Sequence, residues 1–290
     1  MKNAVHLIDT VMQPPKDRAF APIGVFDSGV GGLSVVDEIF KHLPHERMVY
    51  LADTAHVPYG ARLDEDIQDL TARAVDWLYQ KGCKAVVIAC NTASAFSLDF
   101  LRQKYGPDFP ILGLVPALKP AVLNSQSKVV AVLATPATFR GRLIHDVIEA
   151  FAQPLGVDVL PITSLELVPI VEEGRERDAT TAQLLQNILQ PAVDRNADYL
   201  VLGCTHYPFL KTTIESVFAS QFTTVDSGRA VAHHLGRTLA QHKLMAPVQT
   251  FFQPQVTCYF TGGMHASLQL TLKRLLIQEI TWDIAPFVAY

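Results

Sequence analysis

The sequence predicts an α/β protein with two pseudo-symmetric domains, each a mainly parallel sheet flanked by helices, and a candidate active site in the cleft between them. Short, continuously apolar segments alternate with segments of helical spacing, as expected for parallel strands that are covered on both faces. A motif also repeats, because Val86–Thr92 and Leu200–His206 each place a cysteine, Cys90 or Cys204, directly after a strand. Ligands bind outside the carboxyl ends of parallel strands, so both cysteines lie where chemistry is expected.

Nine segments are predicted as strands, because β-branched and other apolar residues dominate each of them. In chain order they are Ile23–Phe26, Val49–Ala52, Ala85–Ala89, Ile111–Leu114, Val129–Leu133, Val157–Leu160, Tyr199–Leu202, Thr223–Val225 and Val256–Phe260. Gly24–Ser28 and Ala131–Thr135 are also alike, which makes a second echo between the two halves.

The segments between the strands carry helical signals. Asp64–Lys81 begins with acidic residues, as helix N-termini favour, and has an apolar stripe before Gly82 ends it. Further helices are predicted to begin at Leu33 and to span Ala93–Lys104 and Phe209–Phe218.

Composition bounds the class of protein. The chain has 290 residues, of which 49% are apolar and 18% charged, so it is a globular protein of about two domains. A net charge of −4 without a basic cluster argues against nucleic acid as the main partner. No apolar run approaches the length of a membrane span, and Met1–Phe20 lacks the pattern of a secretory signal. We expect a cytoplasmic protein with a short disordered N-terminal arm and no membrane partner.

The four cysteines differ in context. They are too few for a disulfide framework. Cys90 and Cys204 each precede a predicted helix, whose positive end is expected to lower a thiol pKa from about 8.5. Cys83 lies in a turn and Cys258 within a predicted strand, so both are assigned to structure.

Metal and redox sites are weaker interpretations of the same cysteines. The sequence has neither a Cys-x-x-Cys pair nor the histidine spacing of zinc sites, so we expect no metal. A disulfide between Cys90 and Cys204 would have to span the cleft between two halves, which is too far without movement.

Several polar groups follow the predicted strands. The loop Asp27–Gly32 fits neither a dinucleotide fingerprint nor a Walker loop, and is either a tight turn or a site whose N–H groups hold a carboxylate. Pro58–Ala61 is a turn that can line the same cleft, where Gly60 allows close backbone approach. His206 suits proton transfer beside a thiol. Neutral donors at the same level are Asn91, Thr92, Thr135, Thr138 and Thr205.

Two thiols that face each other across a cleft present one acid or base to each face of a bound molecule. A thiolate on one side removes a proton from a carbon acid, and a thiol on the other returns one to the opposite face. This arrangement favours stereochemical inversion, with preorganised donors around the developing carbanion.

Four motifs, in the same order, closely resemble those of the glutamate racemases of the cofactor-independent aspartate/glutamate racemase superfamily. They are Gly24–Gly32, Asp53–Gly60, Ala89–Ser94 and Gly203–Pro208, and the resemblance spans about residues 22–240. It implies an enzyme that interconverts L- and D-glutamate without a cofactor and supplies D-glutamate for peptidoglycan in bacteria.

The resemblance also implies residue roles. Cys90 and Cys204 would be the two acid/base residues, one for each enantiomer. The substrate-binding positions would be Asp27, Ser28, Tyr59, Gly60, Asn91, Thr92, Thr205 and His206, with Thr135 and Thr138 matching less closely. A further acidic residue of the family corresponds best to Glu172, although Glu166 and Glu173 lie close in the sequence.

The resemblance implies that the second domain, residues 115–225, is inserted into the first, residues 22–114 and 226–290, after an N-terminal extension of residues 1–21. Two features depart from the family. The extension has no counterpart, and Thr261-Gly262-Gly263 stands where relatives often carry Thr-Gly-Asp. We expect neither to touch the cleft motifs.

Alternatives stay open from sequence. An aspartate racemase would use the same thiols, and a non-catalytic amino-acid-binding protein would share the cleft but would have no use for them. A pyridoxal-dependent racemase would need a lysine at the cleft, and no motif places one there. The oligomeric state is not determined by the sequence, and a homodimer is among the possibilities.

Overall fold

The computed structural model describes residues 18–248, 255–264, 266–275, 280–285 and 287. All nine predicted strands form, and Thr281–Ile284 adds a strand that the sequence analysis did not predict. In chain order the strands are β1 Ile23–Asp27, β2 Met48–Ala52, β3 Ala85–Ile88, β4 Ile111–Gly113, β5 Val129–Ala134, β6 Asp158–Thr163, β7 Tyr199–Leu202, β8 Thr223–Val225, β9 Gln255–Phe260 and β10 Thr281–Ile284.

The strands form two parallel sheets. One has the order β10-β9-β2-β1-β3-β4 and the other the order β6-β5-β7-β8. Every neighbouring pair in the two sheets is parallel. The predicted α/β class with mainly parallel sheets is confirmed.

Helices cover these sheets. They are α1 Leu33–His42, α2 Asp64–Gln80, α3 Asn91–Tyr105, α4 Leu118–Asn124, α5 Pro136–Arg140, α6 Arg142–Val147, α7 Leu167–Glu172, α8 Ala179–Asp194, α9 Lys211–Phe218, α10 Gly228–Gln241 and α11 Ala266–Leu275. None in the described part of the chain is long and apolar enough to cross a membrane.

Local chemistry explains where the helices begin and end. Helix α2 has three acidic residues in its first turn, which favour the positive end of the helix dipole. Its apolar stripe, including Ile67 and Leu78, is buried against the sheet, and Gly82 ends the segment with a φ of 78°. Helix α9 begins later than predicted, because Tyr207–Leu210 forms a 3-10 turn first.

The N-terminal arm is described only in part. Residues 1–17 of the predicted disordered arm lie outside the described residues. Arg18–Phe20 forms a 3-10 turn rather than a disordered segment, and Lys84 Nζ donates a 2.7 Å hydrogen bond to Ala19 O.

The carboxyl ends of the strands position the polar residues. Asp27 ends β1 and Cys90 follows the neighbouring β3, while Thr135 follows β5 and Cys204 follows the neighbouring β7. Side chains from both sheets therefore meet at one place. Cys83 and Cys258 instead lie in the apolar cores of the first sheet, as the sequence predicts.

Candidate active site

The Cys90 thiol lies at the N-terminus of α3. Cys90 has an extended backbone, and its sulfur accepts a hydrogen bond from Ala93 N at 3.4 Å, so it caps the helix. The same sulfur lies 3.6 Å from Ser28 Oγ, in the loop after β1. The thiol is buried, and its contacts with Ala93 N and Ser28 Oγ orient it.

The Cys204 thiol begins a hydrogen-bonded chain. Cys204 Sγ lies 3.7 Å from His206 Nδ1, and His206 Nε2 lies 2.6 Å from Glu172 Oε1. Glu172 Oε1 also accepts a 2.7 Å hydrogen bond from Val30 N, in the loop of the first sheet. The imidazole thus connects the thiol to a carboxylate that the other half of the molecule orients.

Both thiols line one small cavity between the two sheets. Every predicted site residue except Asp27 lines it, together with Pro58, Thr135 and Val168. Its volume is about 10 Å³, space for roughly one water-sized sphere. In this conformation the cavity is too small for a molecule of amino-acid size.

Asp27 lies behind the cavity and holds the loop that lines it. Its Oδ2 accepts hydrogen bonds from Gly29 N at 3.2 Å and Gly32 N at 2.9 Å. Its Oδ1 accepts one from Thr205 Oγ1 at 3.3 Å, which links it to the Cys204 loop. Burial raises the pKa of Asp27 to about 6, although His206 and the Gly32 N–H favour the charged form.

The contacts of the His206 imidazole favour its charged form. Burial alone would lower its pKa, but the hydrogen bonds with Cys204 and Glu172 outweigh burial and raise the pKa well above its usual range. The site therefore holds a proton-carrying group next to one thiol.

The expectation that helix dipoles lower both thiol pKa values is wrong for Cys90. Burial raises the pKa of the Cys90 thiol well above its ordinary value, and the nearby Asp27 charge adds to this, while the Ala93 N–H and Ser28 offset only part. Cys204 also does not directly precede an α-helix, because the 3-10 turn Tyr207–Leu210 intervenes.

The chain is similar to known proteins over most of its length. Residues 23–235 match the Asp/Glu/Hydantoin racemase family. The chain belongs to this family. It is 56% identical to a glutamate racemase of Deinococcus radiodurans over 231 residues, which cover 80% of this chain and 79% of that protein.

Solved structures of the family agree. A glutamate racemase from Bacillus anthracis superposes with a TM-score of 0.79 at 30% identity, covering 91% of this chain and 97% of that one. A glutamate racemase from Francisella tularensis, in complex with D-glutamate, has a TM-score of 0.79 at 28% identity and covers 93% and 98% of the two chains.

The contacts of three glutamates, Glu166, Glu172 and Glu173, distinguish which of them belongs to the site. Glu172 touches His206 and Val30 N. Glu173 pairs instead with Arg175 at the surface, and the Glu166 side chain is exposed. Among the three glutamates that the sequence left open, Glu172 is the one whose carboxylate reaches the chain of groups at Cys204.

Asn91, Thr92 and Thr135 also line the cavity, whereas Thr138 lies behind them and does not. Thr92 Oγ1 lies 2.9 Å from Thr135 Oγ1, and Thr138 Oγ1 lies 3.0 Å from Thr135 Oγ1, so the three hydroxyls form one cluster. Asn91 Nδ2 is buried and has no hydrogen-bond partner among the described residues. A buried donor of this kind is costly unless a ligand accepts from it.

Tyr59 is fixed from behind the cavity. Its hydroxyl donates a 2.6 Å hydrogen bond to Asp53 Oδ2, and Asp53 Oδ1 accepts one of 2.6 Å from Thr261 Oγ1. The expectation that the Thr261-Gly262-Gly263 segment leaves the cleft motifs untouched is therefore wrong. Gly60, next to Tyr59, packs so closely on Thr135 that a Cβ would lie 2.7 Å from the threonine Cβ.

Sequence reasoning missed several supporting residues. Ser34 Oγ lies 3.0 Å from Thr205 O and joins the start of α1 to the Cys204 loop. Tyr50, in the otherwise apolar strand β2, donates to Gly29 O at 2.6 Å. A tyrosine in a buried strand indicates a hydroxyl that needs a partner, but the sequence does not show which partner.

No group of three or more metal-ligating side chains occurs within the described ranges.

Proposed function

We propose that this protein is a cofactor-independent racemase that interconverts L- and D-glutamate. The observation that carries the proposal is that two buried thiols, Cys90 and Cys204, follow equivalent strands of two sheets and line one cavity. The identity of 56% to a glutamate racemase supports the substrate. In a bacterium, such an enzyme would act in the cytoplasm and supply D-glutamate for peptidoglycan.

The reaction needs a thiolate on one face of the substrate Cα and a thiol on the other. The thiolate takes the α-proton and leaves a carbanion, and the opposite thiol then gives its proton to the other face of that carbon. One sulfur gains a proton and the other loses one, so each turnover exchanges the protonation states of Cys90 and Cys204.

The two thiols have different surroundings before the reaction. Cys204 Sγ lies 3.7 Å from His206 Nδ1, and Glu172 contacts the same imidazole, so a positive charge on His206 would stabilise a Cys204 thiolate. Cys90 remains a thiol, because burial and Asp27 raise its pKa. Each thiol therefore acts as the base for one enantiomer and as the acid for the other, and each turnover leaves the protein ready for the reverse direction.

The remaining groups would bind the substrate and the carbanion. Asn91 Nδ2 supplies a buried donor that nothing else in the described residues satisfies. The hydroxyls of Thr92, Thr135 and Thr138 supply neutral donors for a carboxylate. Because these donors are held in place before the reaction, they stabilise developing negative charge without reorganising.

We also propose that residues 22–114 and 226–290 form one domain and residues 115–225 an inserted second domain. The division of the strands supports this, since β5 to β8 form their own sheet. The active site would then lie between the two domains, whose separation would enlarge the small cavity for the substrate.

The test is to incubate the purified protein with L-glutamate in D₂O, without added cofactor, while following the α-proton by NMR and the optical rotation. Loss of the α-proton with decay of the rotation to zero is the expected result. Exchange without inversion would mean one working base. No change with glutamate or aspartate would move the assignment to a binding protein.

Substrate preference is tested separately. We expect kcat/KM for glutamate to exceed that for aspartate by at least about tenfold, which is about 1.4 kcal/mol of transition-state stabilisation. Equal values for the two amino acids would contradict the glutamate assignment and leave the racemase chemistry standing.

A further inference from the structure

The strand β2 places one tyrosine hydroxyl against the glycine loop. Tyr50 is fully buried, and its Oη donates a 2.6 Å hydrogen bond to Gly29 O. Burial and the nearby charge of Asp27 raise the pKa of Tyr50 well above its ordinary value, so the hydroxyl stays a donor. Its ring also lies against Gly32, where a Cβ would come within 3.0 Å of the hydroxyl oxygen.

The peptide group between Gly29 and Val30 carries this contact across to the other sheet. The Gly29 carbonyl and the Val30 N–H belong to one rigid plane and point in opposite directions in a trans peptide. Tyr50 holds the carbonyl end, and Val30 N donates to Glu172 Oε1 at 2.7 Å. Fixing the carbonyl therefore aims the N–H at Glu172.

Glu172 passes this constraint to the second thiol. The same oxygen that accepts from Val30 N lies 2.6 Å from His206 Nε2, and His206 Nδ1 lies 3.7 Å from Cys204 Sγ. The first thiol has different contacts, because Cys90 meets Ser28 Oγ and Ala93 N. The hydrogen bonds from β2 thus reach the Cys204 thiol through Val30 N and Glu172, whereas Cys90 contacts none of these groups and meets the loop only at Ser28, the chain neighbour of Gly29.

We propose that Tyr50 is a positioning residue for the Cys204 half of the reaction, acting through the Gly29–Val30 peptide and Glu172. The inference rests on the proposed two-thiol racemase. Tyr50 orients the Gly29–Val30 peptide and is not needed to hold the loop as a whole. Asp27 holds the loop independently, because it accepts hydrogen bonds from Gly29 N and Gly32 N.

The variant Tyr50→Phe removes the hydroxyl and keeps the ring. Loss of one buried hydrogen bond predicts a fall in kcat/KM of about three- to tenfold. The matched control is Thr71→Val, which removes another buried hydroxyl that donates to a backbone carbonyl, Ile67 O at 2.6 Å, within α2. We expect the control to be destabilised to a similar extent and to keep its kcat/KM.

Isotope effects separate positioning from a general structural loss. The two enantiomers have equal free energies in water, so kcat/KM changes equally in both directions for any variant. The primary deuterium isotope effect on kcat/KM, in contrast, can change differently in the two directions. If proton transfer at Cys204 becomes slower, the effect rises with the α-deuterated enantiomer that Cys204 deprotonates and falls with the other.

The variant Cys204→Ser in D₂O shows which enantiomer each thiol deprotonates. Cys90 is then the one remaining thiol base, so only the enantiomer that Cys90 deprotonates exchanges its α-proton. Glu172→Gln weakens the next link of the network and must shift the isotope effects in the same two senses. In the double variant, Tyr50→Phe should add less than it does alone, since the link through which it acts is already weakened.

The outcomes are distinct. A wild-type protein that does not racemise glutamate contradicts the proposed function. A racemising wild type whose Tyr50→Phe variant behaves like Thr71→Val, or whose isotope effects stay unchanged in both directions, overturns the positioning role alone. Full additivity of Tyr50→Phe and Glu172→Gln would also overturn it.

Discussion

Gly31 packs so closely on His206 that a Cβ atom at position 31 would lie 2.5 Å from the imidazole Nδ1. Gly31 belongs to the loop after β1 and His206 to the loop after β7, so backbone from one sheet touches the imidazole from the other. Only a residue without a side chain allows this approach. The contact therefore leaves no room for a side chain at position 31.

The variant Gly31→Ala tests this contact. An added methyl group must displace His206 or hold the halves apart, and a displacement of this size at a catalytic group predicts a loss in kcat/KM of about 100-fold. Steady-state kinetics measure the loss. Gly236→Ala is the control, because its Cβ would meet the side chains of His42 at 3.2 Å and Leu43 at 3.3 Å, neither of which lines the cavity. Wild-type kinetics for Gly31→Ala would contradict the close contact.

The serine variants of the two thiols test the two-base chemistry. Cys90→Ser and Cys204→Ser should each lower the rate of racemisation by about 10³-fold or more, because a hydroxyl is a far poorer base than a thiolate. Polarimetry measures the rate. The controls are Cys83→Ala and Cys258→Ala, whose thiols are buried in the cores and should affect stability rather than activity. Full activity in either serine variant would refute the mechanism.

The variant Glu172→Gln tests the acidic residue beside His206. The hydrogen bond and charge of Glu172 help to raise the pKa of His206, so their loss should lower that pKa. NMR titration of the imidazole measures the shift, and we expect kcat/KM to fall by about tenfold. Glu173→Gln is the matched control, because Glu173 pairs with Arg175 at the surface. If Glu173→Gln has the larger effect, the assignment of Glu172 is wrong.

Asp27 predicts the acid side of the pH profile. Its pKa is raised to about 6, so activity should fall as the pH drops through that value and the protonated group no longer accepts from Gly29 N and Gly32 N. The folded pKa lies above the ordinary 3.8. The folded protein therefore takes up this proton first, and Asp27 by itself favours folding as the pH falls between these two values.

Measurement of kcat/KM and circular dichroism on the same samples separates the two effects. We expect an acid limb near pH 6 with an unchanged spectrum, and no such limb in Asp27→Asn. Activity that stays level to about one unit below that pKa would contradict the role of the charge.

The sequence by itself determined the strands, their parallel pairing and the two cysteines. Alternation of apolar and helical segments is a local signal, and the nine predicted strands form close to their predicted bounds. The tenth strand, Thr281–Ile284, pairs at the edge of the sheet. Three of its four residues are exposed, so it lacks the continuous apolar run that marks a buried strand.

The tertiary structure decided which groups touch and how they titrate. Burial raises the pKa of the Cys90 thiol, although the start of helix α3 is expected to lower it. This burial comes from residues that folding brings together and not from residues near Cys90 in the sequence. Folding also decides the hydrogen bonds between Glu172 and His206, between Thr261 and Asp53, and between Tyr50 and Gly29. These contacts join residues far apart in the chain, and sequence periodicity carries no information about such distances.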